Sequence, residues 1–463
     1  MARTLAFLGA AGTVTGSKFL LEHSAGPADG GRVLVDCGLY QGAREWRRLN
    51  WEPLPATPAS IAAVVLTHTH LDHCGYLPAL VRQGFAGRVW CTEATAALTE
   101  IVLRDSAHLQ EEDAAAARAG GWSKHDPPLP LYTVADAERA ISRLETTTFG
   151  TPTRVAPGWE ATLSRAGHVL GSASALLHGG TASVLFSGDL GRPSHPLLLP
   201  RSRPPAARTV VIESTYGDRD HPVAAGADHE VLASAVRRTI GRGGSVVIPA
   251  FAVDRTELVL HVLAELLRED RIPPVPIYVD SPMALAALEV YSRPGMREEL
   301  LPEADLGLGT LPRLHTARSA AESMALNNPG TPSIIISASG MATGGRVIHH
   351  LRHLLPQARN TVVLTGYQAV GTRGRALQEG AHEVKIMGRY VPVRAEVLTD
   401  EGFSVHADAG ELLSWLGELP EPPETVYVVH GEPESAHALA DRIRKELGWT
   451  VAVPVVGERV RLD

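Results

Sequence analysis

Cysteine is nearly absent: Cys37, Cys74 and Cys91 are the only three in 463 residues, and none is spaced as CxxC. That excludes a disulfide framework and a thiolate zinc knuckle, and it suits a reducing cytoplasm. Cys74 adjoins a histidine cluster yet reads as a small buried residue, not a ligand. Lysine is as scarce, confined to Lys18, Lys124, Lys385 and Lys445. Basic charge is therefore carried by arginine, which suits bidentate phosphate contacts but also follows from a GC-rich genome. Positive charge is not in excess either: the net charge of −8 provides no global field to draw in nucleic acid, although a local cleft can still be basic. No apolar run reaches the roughly 18 residues a bilayer needs, which argues against a membrane partner. Leu5 to Gly12 has no basic stretch of any length before it and reads as a first strand, not a leader. Internal repeats and low-complexity tracts are lacking too.

What remains is an ordinary globular composition, 44% hydrophobic and 20% charged, long enough for two or three domains. Within it one stretch stands out, His68-Thr-His70-Leu-Asp72-His73. It follows the apolar run Ile61 to Leu66, which reads as a buried strand. Period-two alternation puts His68 and His70 on one side of an extended chain, within reach of one metal. Asp72 and His73, past the strand end, can turn towards a second. Imidazole and carboxylate are ligands that zinc and manganese both accept. A solvated surface cluster would leave too many donors without partners behind a buried strand.

The same grammar, an apolar strand delivering a polar residue at its carboxyl end, recurs at Asp36, His168, Asp189, Glu213 and His430. Early strands at Thr4 to Leu8, Lys18 to Glu22 and Arg32 to Val35, with a Gly/Pro turn at Gly26 to Gly31, suggest a sheet-rich sandwich. Helical patterning follows from Thr92 to Leu144. The proline-rich Arg192 to Arg208 reads as a crossing between lobes, after which strands and helices alternate as in a parallel α/β domain.

In these motifs the chain resembles the metallo-β-lactamase superfamily, and within it the β-CASP nuclease branch. The HxHxDH signature is met by His68, His70, Asp72 and His73, the third ligand motif by His168 in Gly-His-Val-Leu-Gly-Ser, the fourth by Asp189 in Ser-Gly-Asp. Glu213 in Glu-Ser-Thr-Tyr-Gly matches motif A, His406 in Phe-Ser-Val-His-Ala-Asp motif B, and His430 in Val-His-Gly-Glu motif C. The likeness covers essentially the whole chain and is strongest to short prokaryotic homologues of the cleavage-and-polyadenylation specificity factor endonuclease. It implies an α/β fold: an αββα metallo-β-lactamase sandwich from residues 1–208 and 397–463, with a parallel α/β β-CASP domain inserted at 209–396, boundaries within ten residues. It implies two divalent metals, zinc first and manganese as the alternative. His68, His70 and His168 would hold one and Asp72, His73 and His430 the other, with Asp189 bridging and Asp36 orienting a ligand imidazole from behind.

Such a pair of ions activates water for in-line attack on a phosphodiester. The departing 3′ oxygen needs a proton, and His406 paired with Glu213 fits that role. Asp72 and Asp189 count with them as catalytic. Substrate anchoring is expected from two strand–loop–helix segments rich in small residues, where backbone N–H groups can face an anion. The first offers Ser339, Gly340, Thr343, Gly344, Gly345 and Arg346, the second Tyr367, Thr372 and Arg375. The reading is a metal-dependent ribonuclease on single-stranded RNA, endo- or 5′-exonucleolytic, in the cytoplasm. Single-stranded DNA stays open as the substrate and a homodimer as the assembly. A glyoxalase-II-like thioesterase or lactonase would lack both the long insert and the His406-type acid, and an inactive RNA-binding scaffold would have lost ligands.

Overall fold

A computed structural model describes residues 3–23, 31–121, 126–221, 228–304, 306 and 308–462. The turn expected at Gly26 to Gly31 lies, Gly31 excepted, outside them. The chain forms two compact units: Met1–Gln41 with Glu45–Asp220 and His406–Asp463, and Gly42–Arg44 with His221–Val405.

In the first unit, period-two alternation builds two facing sheets. One sheet runs, in spatial order, Arg459–Arg461, Arg3–Phe7, Phe19–His23, Val33–Val35, Ala63–Val65, Arg88–Cys91 and Leu144–Thr146. The other runs Val451–Ala452, Thr425–Val428, Thr209–Ile212, Ala182–Phe186, Ala173–Gly179, Trp159–Arg165 and Thr153–Ala156. Leu5, Phe7, Phe19, Leu21, Val33 and Val35 interleave with Leu163, Leu177, Val184 and Phe186 between the sheets. The opposite alternation, Leu185, Val210, Ile212 and Val426, packs outward on the helices Ala409–Gly417 and Pro433–Arg442 through Leu412, Trp415, Leu416 and Leu439. Both ends of the described chain enter the sandwich, since Thr4–Ala6 pairs antiparallel with Arg459–Arg461.

One expectation shifts. Thr209–Ile212, read from the sequence as the first strand of the insert, pairs in parallel with Ala182–Phe186 and with Thr425–Val428. Parallel neighbours need a crossover. The proline-rich Arg192 to Arg208 stretch is therefore that crossover inside the first unit, which continues to Asp220, and the second unit runs on to Val405.

The second unit has a six-stranded all-parallel sheet, in the order Leu314–Thr316, Ile277–Asp280, Ile334–Ser337, Val246–Pro249, Thr361–Leu364 and Glu396–Thr399. The chain leaves Val246–Pro249 towards one edge and leaves the adjacent Ile334–Ser337 towards the other. That reversal is a switch point, where loops at the strands' carboxyl ends diverge and leave a crevice. An antiparallel hairpin, Glu383–Ile386 with Arg389–Pro392, completes the unit.

Candidate metal centre

The strand ahead of the histidine motif ends earlier than its apolar run suggests. It spans Ala63–Val65, and His70 already occupies the N-cap of a short helix, Leu71–Cys74. His68 and His70 therefore converge through a bend, not through strand alternation, with His68 Nε2 3.1 Å from His70 Nδ1. The helical turn then swings Asp72 and His73 away to a second position. Space for this turn depends on Gly38: a Cβ there would lie 1.6 Å from the Asp72 carbonyl oxygen.

Two donor groups form around this motif, beside a third made by Asp189, Glu213 and His406. His68, His70, His168 and Asp189 form one, Asp72, His73 and His430 the other. In the first, His168 Nε2 stands 3.2 Å from His70 Nδ1. In the second, His430 Nε2 lies 3.2 Å from His73 Nε2 and 3.3 Å from Asp72 Oδ2. Asp189 divides its carboxylate between them. Its Oδ2 faces His68 Nε2 at 3.5 Å and His168 Nε2 at 3.7 Å, while Oδ1 faces His73 Nε2 at 3.3 Å and His430 Nδ1 at 3.6 Å.

These residues fit divalent cations on chemistry of their own. His70 Nδ1 stands close to two other ring nitrogens, and a single shared proton can satisfy only one such contact. In a buried site the remaining lone pairs would repel one another. Burial holds the His68 and His168 imidazoles well below the ordinary histidine range and His70 down to about 4. They are thus neutral, as metal ligation requires. Burial pushes His73 down as well, but Asp189 and Asp36 outweigh it and raise its pKa well above the ordinary value. Burial would raise Asp189; the surrounding His430, His73 and His68 hold it well below the carboxylate range instead.

Support from behind is equally specific. Asp36 Oδ2 lies 2.8 Å from His73 Nδ1, and Asp36 in turn accepts from the Thr67 backbone N–H and hydroxyl. Thr67 Oγ1 also stands 3.1 Å from His68 Nδ1, and Thr215 Oγ1 3.2 Å from His430 Nδ1. Neither threonine was given a role in the sequence reading, although Thr67 adjoins the histidine motif and Thr215 lies within motif A. Cys74 is buried and its thiol donates to the Thr69 carbonyl, so it takes no part.

His406 lies beside this centre, its Nδ1 3.3 Å from Glu213 Oε2 and 4.0 Å from Asp189 Oδ2. Glu213 Oε1 accepts from the Leu190 backbone N–H at 2.6 Å, which fixes the carboxylate. A bridge between Gly191 and His406 docks this segment on the sandwich.

The residues expected to anchor substrate sit in the second unit, and several are engaged there. The Ser339 hydroxyl accepts from the Thr343 and Gly344 backbone N–H groups, closing the loop on itself. Gly345 turns with φ +70°, and a Cβ at Gly340 would lie 2.6 Å from the Phe251 ring. Thr372 caps the helix Arg373–Gln378 by accepting from the Arg375 N–H, and it is buried. Tyr367 is half-buried. Arg346, expected to meet phosphate, instead donates to Asp280 Oδ1 at 2.6 Å and to the Ala317 and Arg318 carbonyls. Asp280 is buried and needs this cation. Arg375 pairs with Glu379 at 2.6 Å. Arg373, which nothing in the sequence singled out, ties the two loops together by donating to the Ala342 and Thr343 carbonyls.

Comparison with known proteins meets the same motifs. The metallo-beta-lactamase superfamily model matches residues 19–250, the Beta-Casp domain 256–377, and a "Zn-dependent metallo-hydrolase RNA specificity domain" 390–454. The chain belongs to the metallo-β-lactamase superfamily, in its β-CASP branch. Ribonuclease TTHA0252 of Thermus thermophilus is 38% identical over 456 residues, 98% of each chain. Transcription termination factor FttA of Methanocaldococcus jannaschii is 32% identical over 446 residues, 93% of this chain and 68% of FttA. A solved structure of a protein of unknown function from Enterococcus faecalis V583 covers all of both chains with a TM-score of 0.53 at 13% identity, a likeness of fold alone. This β-CASP protein is a metal-dependent hydrolase of the nuclease kind, and its His/Asp groups are of a kind that can hold divalent metal.

Proposed function

We propose that the protein is a ribonuclease that cleaves single-stranded RNA with two divalent ions, zinc in the first place, and leaves a 5′ phosphate and a 3′ hydroxyl. The division of the Asp189 carboxylate between the two donor groups carries this reading, because a carboxylate that turns one oxygen to each group could serve an ion in each. RNA as substrate draws support from the ribonuclease among the relatives.

His68, His70 and His168 would hold one ion, Asp72, His73 and His430 the other, and Asp189 both. When bound, such ions supply an activated water and polarise a phosphoryl oxygen. Asp36 keeps His73 turned so that Nε2 faces the site. Glu213 orients His406 through Nδ1, so that Nε2 passes a proton to the departing 3′ oxygen. The loops from Ser339 to Gly345 and from Tyr367 to Arg375 would be contacts for RNA within the second unit. Ser339 and Gly340 belong to the loop that leaves the switch-point strand, whereas Arg346 and Thr372 shape these loops from within.

The test is cleavage of matched single-stranded RNA and DNA with zinc, with manganese and with chelator, reading the end groups of the products. Metal-dependent cleavage of RNA to 5′ phosphates is expected. Cleavage of DNA alone, or of RNA in chelator, would refute the reading.

A further inference from the structure

The hairpin of the second unit has a face that the fold does not use. Its cross-strand partners Val384 and Val391 turn inward and are buried. The next pair, Lys385 and Tyr390, turns outward. Tyr390 is 66% exposed, and among the described residues only Trp51 shares that condition as an aromatic ring. Lys385 Nζ lies 6.0 Å from the Tyr390 ring centroid. Met387 and Gly388, both at positive φ, make the tight turn and leave Met387 exposed at the tip, beside Arg352.

Charge separates this hairpin segment from the rest of an acidic protein. Between His382 and Arg394 the one carboxylate is Glu383, against Lys385, Arg389 and Arg394, all exposed. None of these three cations has an ion pair among the described residues, whereas Arg346 and Arg375 nearby in the chain are both paired. The hairpin also adjoins the first glycine-rich loop. Arg373 Nε donates to the Lys385 carbonyl at 2.6 Å while its Nη1 donates to the Thr343 carbonyl at 2.8 Å, so one guanidinium spans the gap.

We propose that the outward face of this hairpin is a stacking platform for single-stranded RNA, with Tyr390 receiving a base and Lys385, its cross-strand partner, a flanking phosphate. The proposal rests on the ribonuclease reading above. An exposed ring offers every base a π-face, and an adjacent cation holds the backbone beside it, which together give affinity without sequence preference. No residue of the platform belongs to the metal centre.

The experiment uses the metal-loaded full chain and a cleavage-resistant, phosphorothioate-linked single-stranded RNA of about twelve nucleotides, with binding read by fluorescence anisotropy. Tyr390→Ala should weaken binding by about tenfold and Tyr390→Phe should not, since stacking needs the ring and not the hydroxyl. Lys385→Ala should reduce the slope of log affinity against log salt by about 0.7, the share of one lost phosphate contact. All of these variants should hydrolyse a small chromogenic phosphodiester at the wild-type rate. Wild-type affinity in Tyr390→Ala and in the charge variant would overturn the platform while leaving the ribonuclease reading intact. Equal weakening towards an RNA duplex would overturn the stacking, because paired bases present no free face. A wild-type protein that neither binds nor cleaves RNA would instead overturn the reading on which the proposal stands.

Discussion

Asp189 illustrates how much one buried carboxylate can organise. Its oxygens face different histidine pairs, so under the proposed two-ion arrangement its loss would take a donor from both ions at once. In Asp189→Ala, metal content measured by mass spectrometry should fall from about two ions per chain towards none. Retention of both ions would refute the bridge. His406→Ala removes no proposed ligand and should keep its metals while cleavage slows by roughly two to four decades. A substrate with a 3′-thio leaving group needs little protonation and should recover much of that loss. Equal impairment on both substrates would remove His406 from the proton transfer. Glu257, in the second unit, tests burial, with the nearby Asp254 carboxylate acting in the same direction. Burial pushes its carboxyl well above the usual carboxylate range, and nearby backbone N–H groups offset this only in part. The folded chain therefore keeps a proton that the unfolded chain releases. Its contribution to stability is whole below the ordinary carboxylate pKa of about 4.3 and is lost as pH rises towards the folded value. Glu257→Gln should gain stability over the wild type as pH rises from about 5 to about 8 in denaturant titrations. A difference that stays constant across that range would disprove the account.

At the scale of elements, strands deliver the chemistry and small departures from regular structure aim it. The Ala63–Val65 strand stops, the chain bends, and a single helical turn sends Asp72 and His73 to a different donor group from His68 and His70. The bend rests on the approach of Gly38 to the Asp72 carbonyl. Gly38→Ala, with no ligand altered, should cost metal affinity by about tenfold or more, the size expected when the support of a ligand is disturbed. Equilibrium dialysis against zinc reads this directly, and unchanged affinity would show that the loop relaxes freely. The glycine-rich loops make the converse point. From sequence they looked like rows of donors for phosphate, but Thr343 and Gly344 donate inward to Ser339, and Arg346 neutralises Asp280. Polar residues in a loop must satisfy the loop before they can serve a ligand. Spacing along the chain carries no information about that.

For the whole molecule, a net charge of −8 means that a polyanion is attracted by local groups and not by a general field. Few phosphate contacts imply a shallow salt dependence. The slope of log affinity against log salt for single-stranded RNA should have a magnitude of about two to four. A slope near ten would require a contact surface far larger than the described cations supply.

Much of this was determined by the sequence alone. The candidate donor residues stand in motifs at strand ends, and the alternation of apolar strands with helical patterns indicates a mixed α/β chain, because both are local properties of consecutive residues; the ligand set and the sandwich with its insert came from the family resemblance. The tertiary structure decided what depends on distant partners. Thr209–Ile212 belongs to the sandwich because its parallel neighbours are Ala182–Phe186 and Thr425–Val428, the latter more than two hundred residues on. Arg346 became a structural cation because Asp280, buried on another strand, claims it. Tyr390 stood out only once its ring was seen exposed opposite Lys385. A residue type sets what chemistry a position can perform; which groups are already satisfied, and which still face solvent, is settled only when the whole chain has packed.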